Sequence, residues 1–181
     1  MDFNNYIDKA LNILSKGHIS ITKKERELIE IADFGLSDYP RVGLQILTYY
    51  NSPEYCSKEL IMLPNQVCPE HRHPPYGEHP GKKETFRCRW GKVYLFVDDL
   101  SLPRLEKDMI NSRVPLPAKD RQLYSCDRYI ELTPGDQYTI PSNTLHWFVS
   151  GPDGAIVSEF STENTDVYDV FTDIRVKRIS S

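Results

Sequence analysis

At 181 residues the chain has the size of one domain with a full core, and its 22 basic against 26 acidic side chains leave a net charge of −4 with no run of like charges, which excludes a nucleic-acid arm. The opening Met1-Asp2-Phe3-Asn4-Asn5 is acidic and amidic, and no apolar run reaches the length of a signal core or a membrane span, so a cytoplasmic protein without nucleic-acid or membrane partners is expected. Cys56, Cys68, Cys88 and Cys126 lack CxxC spacing and read as reduced thiols rather than a zinc ribbon or disulfide framework.

Phe3, Tyr6, Ile7, Ala10, Leu11 and Leu14 recur at three- and four-residue steps, the stripe of an amphipathic helix over residues 3–16 that Gly17 ends. Thr22 with Glu25 three residues on is a capping box, and Leu28, Ile29 and Ile31 predict a second helix running to Ala32. Residues 1–40 thus read as a helical extension packed on the following domain. Gly35, Ser37, Asp38 and Pro40 mark a turn.

From Val42 the pattern changes to strands. Residues 43–50, 60–63, 85–90 and 91–97 are β-prone, and four further short strands are expected at 129–132, 137–140, 146–149 and 155–160. Pro134-Gly135, Pro141-Ser142-Asn143 and Gly151-Pro152-Asp153-Gly154 punctuate them. Between residues 98 and 123 the pattern breaks into prolines and charges, an excursion from the sheet. Many short strands with regular turns predict a mainly β, single-domain jelly-roll barrel over 41–181.

Within this run lies Glu70-His71-Arg72-His73. Two histidines one residue apart on extended chain point to the same side, so His71 and His73 can hold one ion between them. The spacing then continues: His71-x-His73, Glu84, six residues, Gly91, and later Gly135, five residues, Pro141-Ser142-Asn143, two residues, His146. This resembles the two motifs of the cupin barrels, and the resemblance implies His71, His73, Glu84 and His146 as ligands of one metal ion. Asn143 stands where glycine is usual, and asparagine tolerates the left-handed backbone a tight turn needs. Ten residues separate His73 from Glu84, so a loop rich in proline and glycine (Pro74, Pro75, Gly77, Pro80, Gly81) must double back. His79, in that loop, falls off the motif. Three imidazoles and a carboxylate suit a divalent first-row ion, and zinc accepts such ligands as well, so the residues leave the metal open. With the resemblance, manganese is expected first, with zinc, ferrous iron or cobalt also compatible.

Lys82 two residues before Glu84, together with Val157-Ser158-Glu159-Phe160-Ser161-Thr162 and Asp169-Val170-Phe171-Thr172-Asp173-Ile174-Arg175, is similar to the D-lyxose isomerase family of bacterial sugar isomerases. That resemblance implies a metal-dependent aldose–ketose isomerase acting on a free monosaccharide, D-lyxose to D-xylulose or D-mannose to D-fructose. The proton moves between C1 and C2 through a cis-enediol while the ion polarises the carbonyl. Glu159 is the implied base and Lys82 the acid or stabiliser of an enediol oxygen. By strand alternation Lys82 shares the face of Glu84, whereas Lys83 does not. Trp90 has the same parity as Glu84 and Phe86, an inward wall against the sugar, and Asp173 and Arg175 are further substrate-binding residues. At most one of Trp147 and Phe148 can line the pocket. A homodimer is implied as well. A phosphosugar isomerase would need inward basic residues, but Arg87 and Arg89 have the opposite parity to Glu84. A redox cupin and a non-catalytic sugar- or metal-binding cupin share the ligand pattern.

Overall fold

The apolar stripe over residues 3–16 folds as helix α1 (Phe3–Lys16), which lays Ala10, Ile13 and Leu14 against Ile31, Leu47 and Ile156. The computed structural model describes residues 3–105 and 120–177, so most of the excursion expected over 98–123 lies outside the described residues. The capping box is present at α2 (Lys23–Glu27): Thr22 N donates to Glu25 Oε2 at 2.6 Å, and Glu25 N donates to Thr22 Oγ1 at 3.1 Å. The helix expected to reach Ala32 nevertheless ends there, and Glu30–Ala32 is strand β1. Ile31 is β-branched, and pairing with a neighbouring strand outweighs the weak helical preference of so short a segment.

The remaining strands are β2 (Leu44–Asn51), β3 (Cys56–Met62), β4 (Val67–Arg72), β5 (Glu84–Val97), β6 (Tyr129–Leu132), β7 (Gln137–Ile140), β8 (His146–Ser161) and β9 (Val170–Phe171). They form one curled antiparallel sheet in the order β1-β2-β3-β8-β4-β9, from which β5 pairs with β8, β6 and β7. This is the mainly β, cupin-type barrel the motifs imply. Strand β8 is its spine. It carries β5 along one edge, and β4 and then β3 along the other.

Two pairs of runs that read as separate strands are continuous. β5 passes through Gly91, whose φ of +72° and contact with the Gly154 carbonyl leave no room for a side chain. β8 passes through Gly151–Gly154, the expected break, because these residues bulge opposite Lys92 between the pairs Gly91↔Ala155 and Val93↔Ser150.

Alternation divides the side chains into layers. Leu44, Ile46, Leu60, Phe86, Phe148 and Val157 face the barrel interior, and the side chains of α1 cover the outer face of β1, β2, β3 and β8. Phe148 is inward, while Trp147 stacks on Phe96 in a third cluster with a centroid separation of 3.9 Å.

Candidate active site

Strand pairing sets the histidines side by side. His71 pairs with His146 across β4 and β8, and with Phe171 across β4 and β9. A bulge between Cys68 and His71 turns Glu70 to the other side, where it accepts hydrogen bonds from Ser125 N, Ser125 Oγ, Cys126 N and Thr172 Oγ1 at 2.7–2.9 Å. Those bonds tie β4 to the segments on both sides of it. His73 follows the end of β4, held by Asn143 N donating to its carbonyl at 3.2 Å. Asn143 takes the left-handed backbone expected of it, with φ +58°.

The proline- and glycine-rich loop does double back. Tyr76 stacks on His79 and on Tyr168, at centroid separations of 4.9 and 4.2 Å, and Gly81 N donates to His79 Nδ1 at 3.0 Å. Gly81, at φ +91°, lies so close to the His73 carbonyl that a side chain would collide with it. The loop thereby delivers Lys82 and Glu84 to the face occupied by the histidines.

Each histidine commits Nδ1 outward. His71 donates to the Pro69 carbonyl at 2.7 Å, His146 to the Thr144 carbonyl at 2.9 Å, and His73 Nδ1 meets Asp169 Oδ1 at 2.5 Å. A carbonyl only accepts, so Nδ1 of His71 and His146 carries a proton, and in the neutral ring Nε2 is a lone pair. Ligand atoms of His71, His73 and His146 lie within 4.8 Å of one another, the spacing of a cation site. Glu84 Oε1 is 3.2 Å from His73 Nε2 and 2.9 Å from His146 Nε2. The latter nitrogen is buried without hydrogen-bond geometry to any group among the described residues. With the His146 ring neutral, these are two buried acceptors in contact, a pair that a cation between them would satisfy. The donor set fits a divalent ion, with outward partners on all three imidazoles to hold the rings.

The charges around the cavity lead to the same conclusion. Glu84, Glu159, Asp166 and Asp169 face it with Lys58 and Lys82, an excess of two negative charges. Lys82 Nζ touches Asp166 Oδ1, Glu84 Oε2 and Glu159 Oε1 at 2.8, 2.9 and 3.1 Å. Burial works against the Lys82 ammonium, but Asp166, Glu159 and Glu84 outweigh it and hold its pKa well above the ordinary lysine value. Burial alone would raise Glu84, yet Lys82 and His73 hold it well below the usual carboxylate range. Burial keeps His71 neutral, its pKa well below the ordinary histidine value. Burial and Lys82 also depress His73, but Glu84 and Asp169 prevail and push it up to about 9. Without an ion, then, the site offsets part of its excess charge with a proton on His73.

The structure brings His71, His73, Lys82, Glu84 and Glu159 to one cavity, with His146 against them. It does not bring Trp90, Asp173 or Arg175 there. A bulge between Cys88 and Trp90 breaks the alternation, so Trp90 leaves the interior and packs with the α1 cluster, its Cβ beside Gly17. Asp173 and Arg175 form an ion pair at 2.7 Å in a separate surface pocket with Arg41 and Asp120. Lys58, Asp166 and Asp169 were not among the expected site residues. Lys58 had a legible signal, because Cys56, Lys58, Leu60 and Met62 share one face of β3 and a lone charge interrupts it. The two aspartates sit at a short 3₁₀ turn (Asp166–Tyr168) and just after it, where no periodicity applies.

The model of the D-lyxose isomerase family matches residues 3–181. The D-lyxose ketol-isomerase of a Thermofilum species is 52% identical over 172 residues, spanning 95% of this chain and 92% of that protein. The D-lyxose/D-mannose isomerase of Thermosediminibacter oceani is 53% identical, spanning 95% of this chain and 91% of its own. Among solved structures, ligand-free L-ribose isomerase of Cellulomonas parahominis superposes with a TM-score of 0.78 over 98% of this chain and 94% of that one. Its sequence identity of 18% makes this a likeness of fold.

Proposed function

The chain belongs to the D-lyxose isomerase family, and from that premise we propose that it interconverts a free aldose and its ketose, D-lyxose and D-xylulose first and D-mannose and D-fructose second. The observation that carries the reading is the placement of Glu159 and Lys82, in ion-pair contact at 3.1 Å, in the cavity that the histidines line. An aldose–ketose interconversion needs a base that takes a proton from C2 and returns it to C1, together with stabilisation of charge building on the adjacent oxygen. Glu159 is the base. It reaches the interior because Val157 and Glu159 share a face of β8 while Phe160 turns to solvent. Lys82 provides a fixed positive charge beside that carboxylate and toward the sugar oxygens. A divalent ion held by His71, His73, Glu84 and His146, with manganese ahead of zinc, ferrous iron and cobalt, supplies Lewis-acid polarisation of the carbonyl.

Phe34, Phe171, Leu44 and Ile46 provide apolar walls for the carbon face of a sugar. No arginine lines this cavity among the described residues, and its four carboxylates would repel a phosphate, which favours a free sugar over a phosphosugar. We also propose a homodimer in the cytoplasm. β1 and β9 end the strand order, and an open sheet edge favours pairing; sedimentation at micromolar concentration checks it, and a single monomeric species would refute it.

The test is ketose formation from D-lyxose and D-mannose by protein stripped with chelator and reloaded separately with manganese, zinc or ferrous ion. Ion-restored formation of D-xylulose is expected. No conversion with any ion, in protein that is folded and ion-loaded, would overturn the reading. Glu159→Gln is expected to keep its ion and sugar affinity while losing turnover by about 10²- to 10⁴-fold; a non-catalytic binding protein would not show that split.

A further inference from the structure

Glu159 is approached by two ammoniums on the same oxygen. Lys82 Nζ stands 3.1 Å from Oε1 and Lys58 Nζ 3.6 Å from that atom. Oε2 receives no hydrogen bond or ion pair among the described residues. Asp166 links the two lysines, its Oδ1 2.8 Å from Lys82 Nζ and its Oδ2 2.7 Å from Lys58 Nζ. The four groups close a ring whose side chains are all at most 10% exposed.

Lys58 owes its place to register. It is the direct cross-strand partner of Glu159 between β3 and β8, so the two share the inward face. Burial works against its ammonium, but Glu159 and Asp166 outweigh that cost and raise its pKa above the ordinary lysine value. A charged lysine on an otherwise apolar strand face is expensive to keep unless it has work to do.

The two lysines differ in what else they touch. Lys82 has three carboxylates within 3.1 Å, one of them the expected ion ligand Glu84. Lys58 contacts Glu159 and Asp166 and none of the four expected ligands.

We propose that Lys58 is a positioning residue for Glu159: with Lys82 it pins Oε1, so that Oε2 is the oxygen presented to the sugar. The inference rests on the isomerase reading of Glu159. Asp166 serves the same end by holding both ammoniums at fixed distance. Lys58 then acts through the carboxylates of Glu159 and Asp166, a role distinct from binding sugar or ion.

The experiment compares wild type with Lys58→Met, and with Lys58→Gln, which retains a donor toward Asp166 if the methionine variant does not fold. Each protein is loaded with manganese, and kcat, KM, ion content and exchange of solvent deuterium into C2 of the sugar are measured. The expected result is a fall of about 100-fold in kcat and in exchange, the scale of a misplaced reacting group, with KM and ion content within twofold of wild type. A kcat within twofold of wild type, or a KM that rises in step with the loss, would overturn the proposal, the second outcome making Lys58 a sugar-binding group. If wild type converts no sugar, the isomerase reading fails separately. Crystal structures of wild type and variant then decide the positioning claim: an unmoved Glu159 carboxylate overturns it, and a rotated one upholds it.

Discussion

Lys82→Met removes the cation on which three carboxylates converge, Asp166, Glu84 and Glu159 at 2.8, 2.9 and 3.1 Å. Methionine roughly fills the volume, so the main consequence is electrostatic. Buried carboxylates lose their partner while their desolvation remains. Breaking a buried pair by deleting one member costs about 3–5 kcal/mol. For a chain of this size that corresponds to a fall in Tm of roughly 6–20 °C. The assay is urea denaturation of both proteins in chelator, with equal m values confirming that the same surface is exposed on unfolding. The pH dependence has a definite sign. Glu84 is depressed in the folded state, so its contribution is present above the unfolded carboxylate value, about 4.3, and is lost as pH falls through the lower folded value. Burial alone would raise Glu84, and Lys82 is the largest influence that lowers it. The deficit of the variant is therefore full at pH 7 and shrinks below about pH 4. A deficit under about 1 kcal/mol at pH 7, the scale of an exposed pair, or one that does not change with pH, would refute this account of the cavity.

Asp169→Asn replaces the carboxylate that meets His73 Nδ1 at 2.5 Å, and divalent-ion affinity measured by calorimetry should fall by about 10- to 100-fold. Gly81→Ala places a methyl group against the His73 carbonyl at a backbone φ of +91°. It should cost about 1–3 kcal/mol in urea melts and weaken ion binding through His73, whereas unchanged binding would mean that the loop does not position that histidine. Trp90→Leu removes an aromatic packed between α1 and the sheet, so it should destabilise by about 1–3 kcal/mol and leave KM for the sugar within twofold; a tenfold rise in KM would return Trp90 to the cavity.

The convergence of His71, His73, Glu84 and His146 was legible because each belongs to a local pattern with fixed geometry. His71 and His73 are two apart on extended chain, Glu84 opens an alternating strand, and His146 follows a tight turn marked by Pro141 and Asn143. Glu159 was legible only with the family resemblance, since an outward glutamate on β8 would have looked the same. What failed was parity carried too far. Alternation from Glu84 is sound through Cys88, then the bulge before Trp90 shifts the frame, and Gly91 at φ +72° marks the irregularity. The second helix failed for a related reason: Thr22 and Glu25 specify where it starts, but its end depends on β1 pairing with β2, distant in sequence. Asp166 and Asp169 had no local signature. Their inward placement follows from the chain after β8 returning along β4, where His71 pairs with Phe171.

These late residues change how the cavity is understood. Histidines and Glu84 alone describe a place for an ion and say little about what it would act on. Lys58, Asp166 and Asp169 turn the cavity into a charge arrangement of four carboxylates and two ammoniums. With neutral imidazoles, a divalent cation would bring that count to zero, and a phosphate would add negative charge to a wall already lined with it. Under the proposed function, preference for a cation and rejection of phosphorylated sugars would share one electrostatic cause. A variant that lowers the carboxylate count, such as Asp166→Asn, should weaken the ion and relax the rejection together. Loss of one without the other would mean that shape, rather than charge, selects the substrate.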